Sequence, residues 1–345
     1  MDLEITYWNE IMIKSIKLNN CGPIKVIDWN ALGSINVVIG ENASGKTIFL
    51  KILYVIIKSL EDYKKGNDNR TFKEVINEKI RWTFQLEKIG NLVTKGARSD
   101  KLKLEVKVDD ILAMFSFSSN AEKGVGEIIE SVKTREASSI FIPAKEVISL
   151  ADVIKSSRGI DKQFGFDDTY YDLIKSLEKN PTKGKIAVNF LKAFEDLKKI
   201  TKGDLEYNHG KWSYKELKEV HNIYIVAEGF KKIAILERLI RNRTLNKGSI
   251  LFIDEPEVYL HPQAEIIFVE LLFKLAKQGV QIILTTHSYF VIKKLIILAQ
   301  KEKTSVPVIS LNKSEPIYDD LKNGFPDNPI IDAAIKLYEE EINIE

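Results

Sequence analysis

One stretch stands out in this sequence: Gly40-Glu41-Asn42-Ala43-Ser44-Gly45-Lys46-Thr47, which matches the pattern G-x-x-x-x-G-K-[ST]. Residues 34–39 before it are apolar like a buried strand, and residues 47–60 after it have the spacing of a long helix. In a strand–loop–helix arrangement, the loop N–H groups and the helix N-terminus form a polyphosphate site. The pattern predicts that Lys46 reaches the β- and γ-phosphates and that the Thr47 hydroxyl lies on Mg²⁺. The alternative is an ordinary glycine-rich turn before a helix. Such a turn does not require the strand–loop–helix order seen here.

The composition indicates a globular chain with a sizeable core. The 345 residues are 44% hydrophobic and 29% charged, and the net charge is +2. Such a small net charge gives no global attraction to nucleic acid or to membranes. Cys21 is the only cysteine, which excludes an intramolecular disulfide and favours a reducing compartment. Without a signal-peptide pattern or an uninterrupted apolar run of about eighteen residues, the expected location is the cytoplasm.

The organisation along the chain predicts one discontinuous domain. Alternating patterns predict an antiparallel pair at residues 11–18 and 24–29 and another at 101–108 and 111–119. Residues 121–136 are expected to form a surface connection, and residues 139–142 a short buried strand. We divide the chain into an N-terminal lobe (1–143), a helical insertion (144–203), a C-terminal lobe (204–315) and a tail (316–345).

The C-terminal lobe alternates strands with helices. A hairpin is predicted within residues 205–214, and buried strands at residues 249–253 and 281–285 flank a helix at about 263–278. Strands that alternate with helices form a largely parallel sheet covered on both faces. The fold class expected is therefore α/β.

Acidic residues follow the first of these strands. Asp254 and Glu255 come directly after a buried strand, where open α/β sheets bind ligands. Beside a phosphate-binding loop, Asp254 would hold the Mg²⁺ shell and Glu255 would orient or deprotonate an attacking water. Alternatively, the two carboxylates are only the acidic start of the next helix, which the helix dipole favours.

The neighbouring strand ends in Thr285-Thr286-His287-Ser288. His287 is a candidate hydrogen-bond donor to a γ-phosphate oxygen or to the attacking water. A histidine that caps the following helix is the alternative. The position of His287 one strand away from the acids favours the first interpretation.

Taken together, these motifs resemble the ABC-type ATPases. The stretches that carry the resemblance are the loop at 40–47, Asp254-Glu255-Pro256-Glu257, Leu260-His261-Pro262 and Thr285-Thr286-His287-Ser288. The sequence is most similar to the soluble branch with SMC, RecF and OLD-type proteins, in which many stand-alone AAA-type ATP-binding proteins are linked to anti-phage defence. The resemblance implies a P-loop NTPase fold, an ABC-ATPase head with an antiparallel β subdomain and a helical insertion.

Residue roles implied by the resemblance follow the motifs. Lys46 and Thr47 contact phosphate and Mg²⁺, Asp254 is the second Mg²⁺ ligand, Glu255 the general base and His287 the switch histidine. Residues 260–262 correspond to the loop that crosses the dimer interface. Residues 226–229 correspond to the signature Leu-Ser-x-Gly, in which Ala227 replaces the serine and Gly229 keeps the glycine. The nearest candidate for the family's Q-loop glutamine is Gln85.

The resemblance implies ATP and Mg²⁺ as ligands and a homodimer, or a higher oligomer, in which two heads enclose two ATP molecules. The first functional hypothesis is an ATP-driven dimer switch for a separate effector protein. The alternatives are a RecF-like ATPase that acts on DNA and the ATP-binding subunit of a membrane transporter. A basic strip formed by Arg238, Arg241 and Arg243 is the candidate surface for nucleic acid or a partner.

Overall fold

A computed structural model describes residues 12–96, 99–129, 132–181, 188–311, 315–327 and 329–344. Its strands are β1 (Ile13–Cys21), β2 (Ile24–Trp29), β3 (Ile35–Gly40), β4 (Lys101–Val108), β5 (Ile111–Ser118), β6 (Glu127–Ile128), β7 (Ser139–Ile142), β8 (Gly203–Asn208), β9 (Lys211–Glu216), β10 (Glu219–Asn222), β11 (Ile250–Ile253), β12 (Gln281–Thr285), β13 (Pro307–Leu311) and β14 (Ile317–Asp320).

The α-helices of the described residues are α1 (Lys46–Asp62), α2 (Phe72–Phe84), α3 (Ala151–Ile154), α4 (Asp168–Glu178), α5 (Val188–Thr201), α6 (Glu228–Arg241), α7 (Pro262–Lys277), α8 (Tyr289–Lys301) and α9 (Pro329–Ile342). A π-helical turn covers Lys155–Ile160, and 3₁₀ turns cover Ile89–Leu92, Ile223–Ile225 and Leu321–Asn323. Across the described ranges, none of the helices has both the length and the apolar character needed to cross a bilayer.

The main sheet has the strand order β14-β13-β3-β12-β11-β7. All neighbours pair in parallel except β13 and β14. Strands β7, β11 and β12 end at nearly the same height in the sheet, because Ile253 at the end of β11 pairs with both Leu284 of β12 and Ile142 of β7. The carboxyl ends of β3, β11 and β12 therefore meet at one edge of the sheet.

Both faces of the main sheet are covered, as the sequence predicts. Ile250 and Phe252 join a core that contains α1 and the antiparallel strands, whereas Leu251 and Ile253 join a core that contains α6, α7 and α8. This alternation follows from the period of two along a strand. A strand buried on both sides needs an unbroken apolar sequence, which β11 has.

A second sheet has the antiparallel order β2-β1-β4-β5-β6 and covers one side of α1. The two predicted strand pairs are confirmed in it, although Ile11 of the first prediction lies outside the described residues. A two-residue turn at Gly22 joins β1 to β2, and its backbone has a φ of 56°, which favours glycine.

The prediction of a surface connection at residues 121–136 is wrong in part. The segment contains β6, which pairs with β5, and Val125 is buried. Arg135 is also buried, and its guanidinium donates to Asp109 (3.0 Å) and to the Gly248 carbonyl (2.6 Å). A buried arginine is tolerated because such acceptors replace the lost water. The charged composition of this segment therefore does not indicate full exposure.

Within residues 144–203 the regular elements that the structure describes are helical, namely α3, the π-helical turn, α4 and α5, until Gly203 begins β8. The hairpin predicted within residues 205–214 is formed by β8 and β9, and β10 extends it to a three-stranded sheet. These elements agree with the predicted helical insertion, while the division into lobes stays a prediction.

Candidate nucleotide site

The loop between β3 and α1 lies at the carboxyl edge of the main sheet. Gly40 ends β3 with a φ of 151°, and a Cβ there would lie 2.5 Å from the Leu311 carbonyl oxygen. No larger residue fits at this close approach. The Ser44 hydroxyl is buried and has no hydrogen-bond partner among the described residues. A hydroxyl in this position can donate to a phosphate oxygen, so the loop fits that ligand.

Lys46 is the first residue of α1 and is buried. Its ammonium group donates to the carbonyl oxygens of Gly40 (3.0 Å) and Glu41 (2.9 Å). Burial lowers the pKa of Lys46, while the carboxylates of Glu255 and Asp254 oppose this change. The ammonium group is thus held inside the loop by bonds to neutral oxygens, which an anion could replace favourably.

Asp254 follows β11 and is buried next to the loop. Thr47 donates its hydroxyl to both carboxylate oxygens of Asp254, at 3.0 and 2.9 Å. The Thr285 hydroxyl at the end of β12 donates to Asp254 Oδ1 at 2.7 Å. A hydroxyl oxygen and a carboxylate therefore converge at one point. Oxygen ligands of this kind are those that Mg²⁺ prefers, so this pair fits the ion that the sequence predicts.

Glu255 and His287 meet across the ends of β11 and β12. His287 Nε2 lies 3.2 Å from Glu255 Oε1, and both side chains are about one-third exposed, at 31% and 29%. Burial and the charge of Lys46 lower the pKa of His287, and the Glu255 carboxylate opposes them. His287 is therefore neutral near pH 7, with one ring nitrogen as a donor and the other as an acceptor. The structure thus brings all five predicted side chains of this edge together.

Two supporting residues in the same motifs were not predicted. The Thr285 hydroxyl accepts a hydrogen bond from the Glu255 backbone N–H at 3.0 Å, in addition to its bond with Asp254. Glu257 accepts from the His287 N–H at 2.6 Å and from the Thr286 hydroxyl at 3.0 Å. Burial raises the pKa of Glu257. The available signal was the polar run at the end of β12, which faces the acids in a parallel sheet.

The signature-like stretch, residues 226–229, leads into α6. Ala227 is the N-cap of α6 and forms no side-chain capping bond, so the first N–H groups of the helix lack that partner. Gly229 packs against the following loop, because a Cβ would lie 2.9 Å from the Tyr259 carbonyl oxygen. Glu228 is exposed. This stretch therefore keeps the helix N-terminus and the close-packed glycine of the predicted motif.

The loop at residues 260–262 begins α7. His261 is the N-cap and accepts a hydrogen bond from the Gln263 N–H at 3.3 Å, and Pro262 occupies the first helical turn. Tyr259, just before the loop, is 55% exposed and has a φ of 68°. The segment thus projects a large aromatic side chain into solvent beside the N-terminus of α6.

Gln85 lies at the C-terminal cap of α2, where its φ is 52°. It does not follow a strand of the main sheet. The strands on either side of β11 are β12, which ends at Thr285, and β7, which ends at Ile142. Gln85 is therefore not brought to the carboxyl edge by a strand, as the other candidates are.

The predicted basic strip on α6 is wrong as a continuous surface. Arg238 is buried, and its guanidinium donates to the carbonyl oxygens of Leu177 (3.0 Å) and Lys179 (3.2 Å). Arg241 is partly covered and lies 3.3 Å from Glu237. Arginine can join elements by bonding several carbonyl oxygens at once, and this use of Arg238 removes it from the surface.

Comparisons with known proteins agree with this geometry. Residues 35–293 match the protein family described as "AAA domain, putative AbiEii toxin, Type IV TA system". The structure is similar to an Smc head bound to the C-winged helix domain of ScpA, with a TM-score of 0.55, 11% identity, and coverage of 90% of this chain and 97% of that chain.

A second similar structure is the Smc head domain with an extended coiled coil, bound to the C-terminal domain of ScpA and derived from Pyrococcus furiosus. Its TM-score is 0.54 at 12% identity, with coverage of 95% of this chain and 99% of that chain. At this identity the likeness concerns the fold alone. A comparison with curated protein sequences finds no match.

The predicted α/β fold class is confirmed by the likeness to the Smc head fold, and the family profile, which is that of an AAA domain, confirms the resemblance to AAA/ABC-type ATPases. Since the family profile covers most of the sequence, the chain belongs to this family of AAA domains.

Proposed function

We propose that the protein binds Mg·ATP at the loop of residues 40–47 and hydrolyses it. Lys46 and the loop N–H groups would hold the phosphates, and Thr47 with Asp254 would hold the Mg²⁺ shell. The observation that carries the proposal is the pair of hydrogen bonds from Thr47 to Asp254, because it places the end of β11 directly against the start of α1. The bound ion would neutralise phosphate charge as the terminal bond breaks.

Glu255 would act as the general base. Its carboxylate lies beside neutral His287, and the Glu255 N–H is fixed by Thr285. A carboxylate in this position can accept a proton from a water, while the imidazole donates a hydrogen bond to the same water or to a terminal phosphate oxygen. The chemistry requires no covalent intermediate on the chain.

We further propose that two copies enclose two nucleotides head to tail. The N-terminus of α6 and Gly229 of one copy would face the terminal phosphate bound by the other. An uncapped helix N-terminus is suited to an anion, and the exposed Tyr259 lies next to it. ATP would then join the two copies, and hydrolysis would release them.

The expected output is regulation of a separate effector protein in the cytoplasm, in anti-phage defence. The family description, which names a toxin–antitoxin system, supports a paired role of this kind. In the first similar Smc head structure a separate winged-helix protein domain is bound, which is a precedent for partner binding by this fold. The burial of Arg238 weakens the basis for the RecF-like alternative.

The test is the molar mass of Glu255→Gln in solution. This variant keeps the shape of the side chain but removes the base, so it should stay in the ATP state. We expect multi-angle light scattering to show twice the monomer mass with saturating Mg·ATP and the monomer mass with Mg·ADP. The double variant Lys46→Ala/Glu255→Gln is the control and should remain monomeric. A monomer of Glu255→Gln with Mg·ATP would contradict the dimer switch.

A further inference from the structure

Lys232 is a buried cation that none of the predicted roles uses. It lies on α6, one turn after the helix begins at Glu228, and is 5% exposed. Its ammonium group donates to the carbonyl oxygens of Glu255 (2.8 Å) and Val258 (3.3 Å). Burying a lysine is costly unless its charge is compensated. Lys232 is buried at a contact between α6 and the turn that carries Glu255, the proposed base.

The turn itself has an uncommon backbone. Glu255 has a φ of 48°, and the Val258 N–H closes the turn on the Glu255 carbonyl oxygen at 3.2 Å. The same oxygen thus accepts from Val258 and from Lys232. A non-glycine residue in this conformation costs free energy and persists when its surroundings hold it. Lys232 bonds both ends of the turn and is placed to provide that support.

A second contact fixes the same two elements relative to each other. Gly229 lies so close to the Tyr259 carbonyl oxygen that a Cβ would be 2.9 Å from it. Gly229 and Lys232 therefore attach the first turn of α6 to residues 255–259 at two points. These contacts would carry a displacement at the N-terminus of α6 to the Glu255 turn.

We propose that Lys232 is a positioning residue that holds the Glu255 turn against the start of α6, so that the signature-like stretch sets the geometry of the base. The inference rests on the proposed function for its effect on hydrolysis. The contact itself can be tested without nucleotide.

The chain provides a matched control on the same helix. Lys231 is also buried, but its ammonium group donates to the Ser149 hydroxyl at 2.7 Å and lies 3.9 Å from Glu146. Lys231→Met therefore removes the same kind of side chain from the same helical turn without removing a bond to residues 255–258. The two variants separate a specific effect on the turn from a general loss of helix packing.

The experiment compares Lys232→Met, Lys232→Arg and Lys231→Met. Hydrogen exchange of the nucleotide-free proteins should be faster at the Val258 and Leu260 amides in Lys232→Met alone. With Mg·ATP, Lys232→Met should lose kcat by roughly 10- to 100-fold, a typical cost of a small displacement, while the Kd for a non-hydrolysable analogue stays within about twofold of the wild-type value. Lys232→Arg should recover part of the loss.

Unchanged exchange at Val258 and Leu260 in Lys232→Met would overturn the inference, as would equal losses of kcat in Lys232→Met and Lys231→Met. If the wild-type protein does not hydrolyse ATP, the proposed function fails, and the exchange measurement still decides whether Lys232 holds the turn.

Discussion

The two regions proposed to contact a nucleotide are built very differently. The phosphate-loop site (the loop of residues 40–47 with Asp254, Glu255 and His287) is formed by buried strand ends whose side chains already bond one another. The signature-like stretch (residues 226–229) has an uncapped helix start, an alanine and an exposed glutamate. The phosphate-loop site is preorganised within a single copy, whereas the signature-like stretch offers mainly backbone groups. Nucleotide binding should therefore depend on the phosphate-loop site. The coupling of nucleotide binding to dimerisation should depend on the signature-like stretch.

The largest effect should come from the base in the phosphate-loop site. Glu255→Gln should slow hydrolysis by about 10²- to 10⁴-fold, the usual contribution of a positioned acid–base group. Affinity for Mg·ATP should be retained, because Lys46 and Thr47 are intact. Single-turnover kinetics with radiolabelled ATP would measure the chemical step. A rate within a factor of three of the wild-type rate would remove Glu255 from the role of base.

The next effect concerns the loop lysine. Lys46→Ala should weaken the binding of a non-hydrolysable ATP analogue by about 10- to 150-fold, since a hydrogen bond to a charged group contributes about 1.5–3 kcal/mol. Isothermal titration calorimetry measures this loss directly. Lys25→Ala, at an exposed position on β2, removes the same charge elsewhere and should bind normally. Equal affinity of Lys46→Ala and the wild-type protein would exclude Lys46 from the site.

A smaller effect links the two regions through Lys232. Burial lowers the pKa of Lys232 from 10.5 to about 8, while the facing carboxylates of Glu257, Asp254 and Glu255 oppose the change. Above pH 8 the folded state therefore binds fewer protons at this group than the unfolded state, so its contribution to stability rises with pH. Between pH 8 and 9.5 the free energy of unfolding should rise by up to about 2 kcal/mol through this group.

Urea unfolding at several pH values would measure this contribution as a difference between proteins. Lys232→Met should lose the rise between pH 8 and 9.5, and Lys231→Met should keep it. The same slope in the wild-type protein and in Lys232→Met would show that the ammonium group of Lys232 is not destabilised by burial.

The smallest effect should come from restoring the signature serine. Ala227→Ser adds a hydroxyl at the N-cap of α6, where it can bond the helix or a phosphate of the second copy. A bond to the charged phosphate contributes about 1.5–3 kcal/mol, but the hydroxyl must first give up its bond to its own helix, so ATP-dependent dimerisation should tighten by only about 2- to 10-fold. Analytical ultracentrifugation in the Glu255→Gln background would measure it. Ala227→Val, which adds bulk without a hydroxyl, should give no gain, and equal dimerisation of both variants would contradict the role.

Much of the phosphate-loop site could be predicted because its elements are local in sequence. The strand, loop and helix around Lys46 are contiguous, and β11 and β12 are uninterrupted apolar runs that end in polar residues. Parallel pairing then brings their ends together without further information. The bonds of Thr285 and Glu257 depend on side-chain directions across strands, and spacing along one strand does not give those.

Other features were missed for different reasons. Helix α2 begins with a capping box, in which Thr71 Oγ1 accepts from the Glu74 N–H and Glu74 accepts from the Thr71 N–H. That signal was present in the sequence and is followed by apolar Val75 and Ile76. The burial of Arg135 and Arg238, in contrast, depends on carbonyl and carboxylate groups from distant segments. A charged residue such as arginine is expected at the surface from sequence alone, and only the tertiary structure shows that Arg135 and Arg238 are buried.

The most direct test of the phosphate-loop site is a crystal structure with Mg²⁺ and a non-hydrolysable ATP analogue. We expect the β- and γ-phosphates inside the loop of residues 40–47, Lys46 in contact with them, and the ion between Thr47 and Asp254. Density for the analogue elsewhere, with Lys46 still bonded to the Gly40 and Glu41 carbonyl oxygens, would contradict the account.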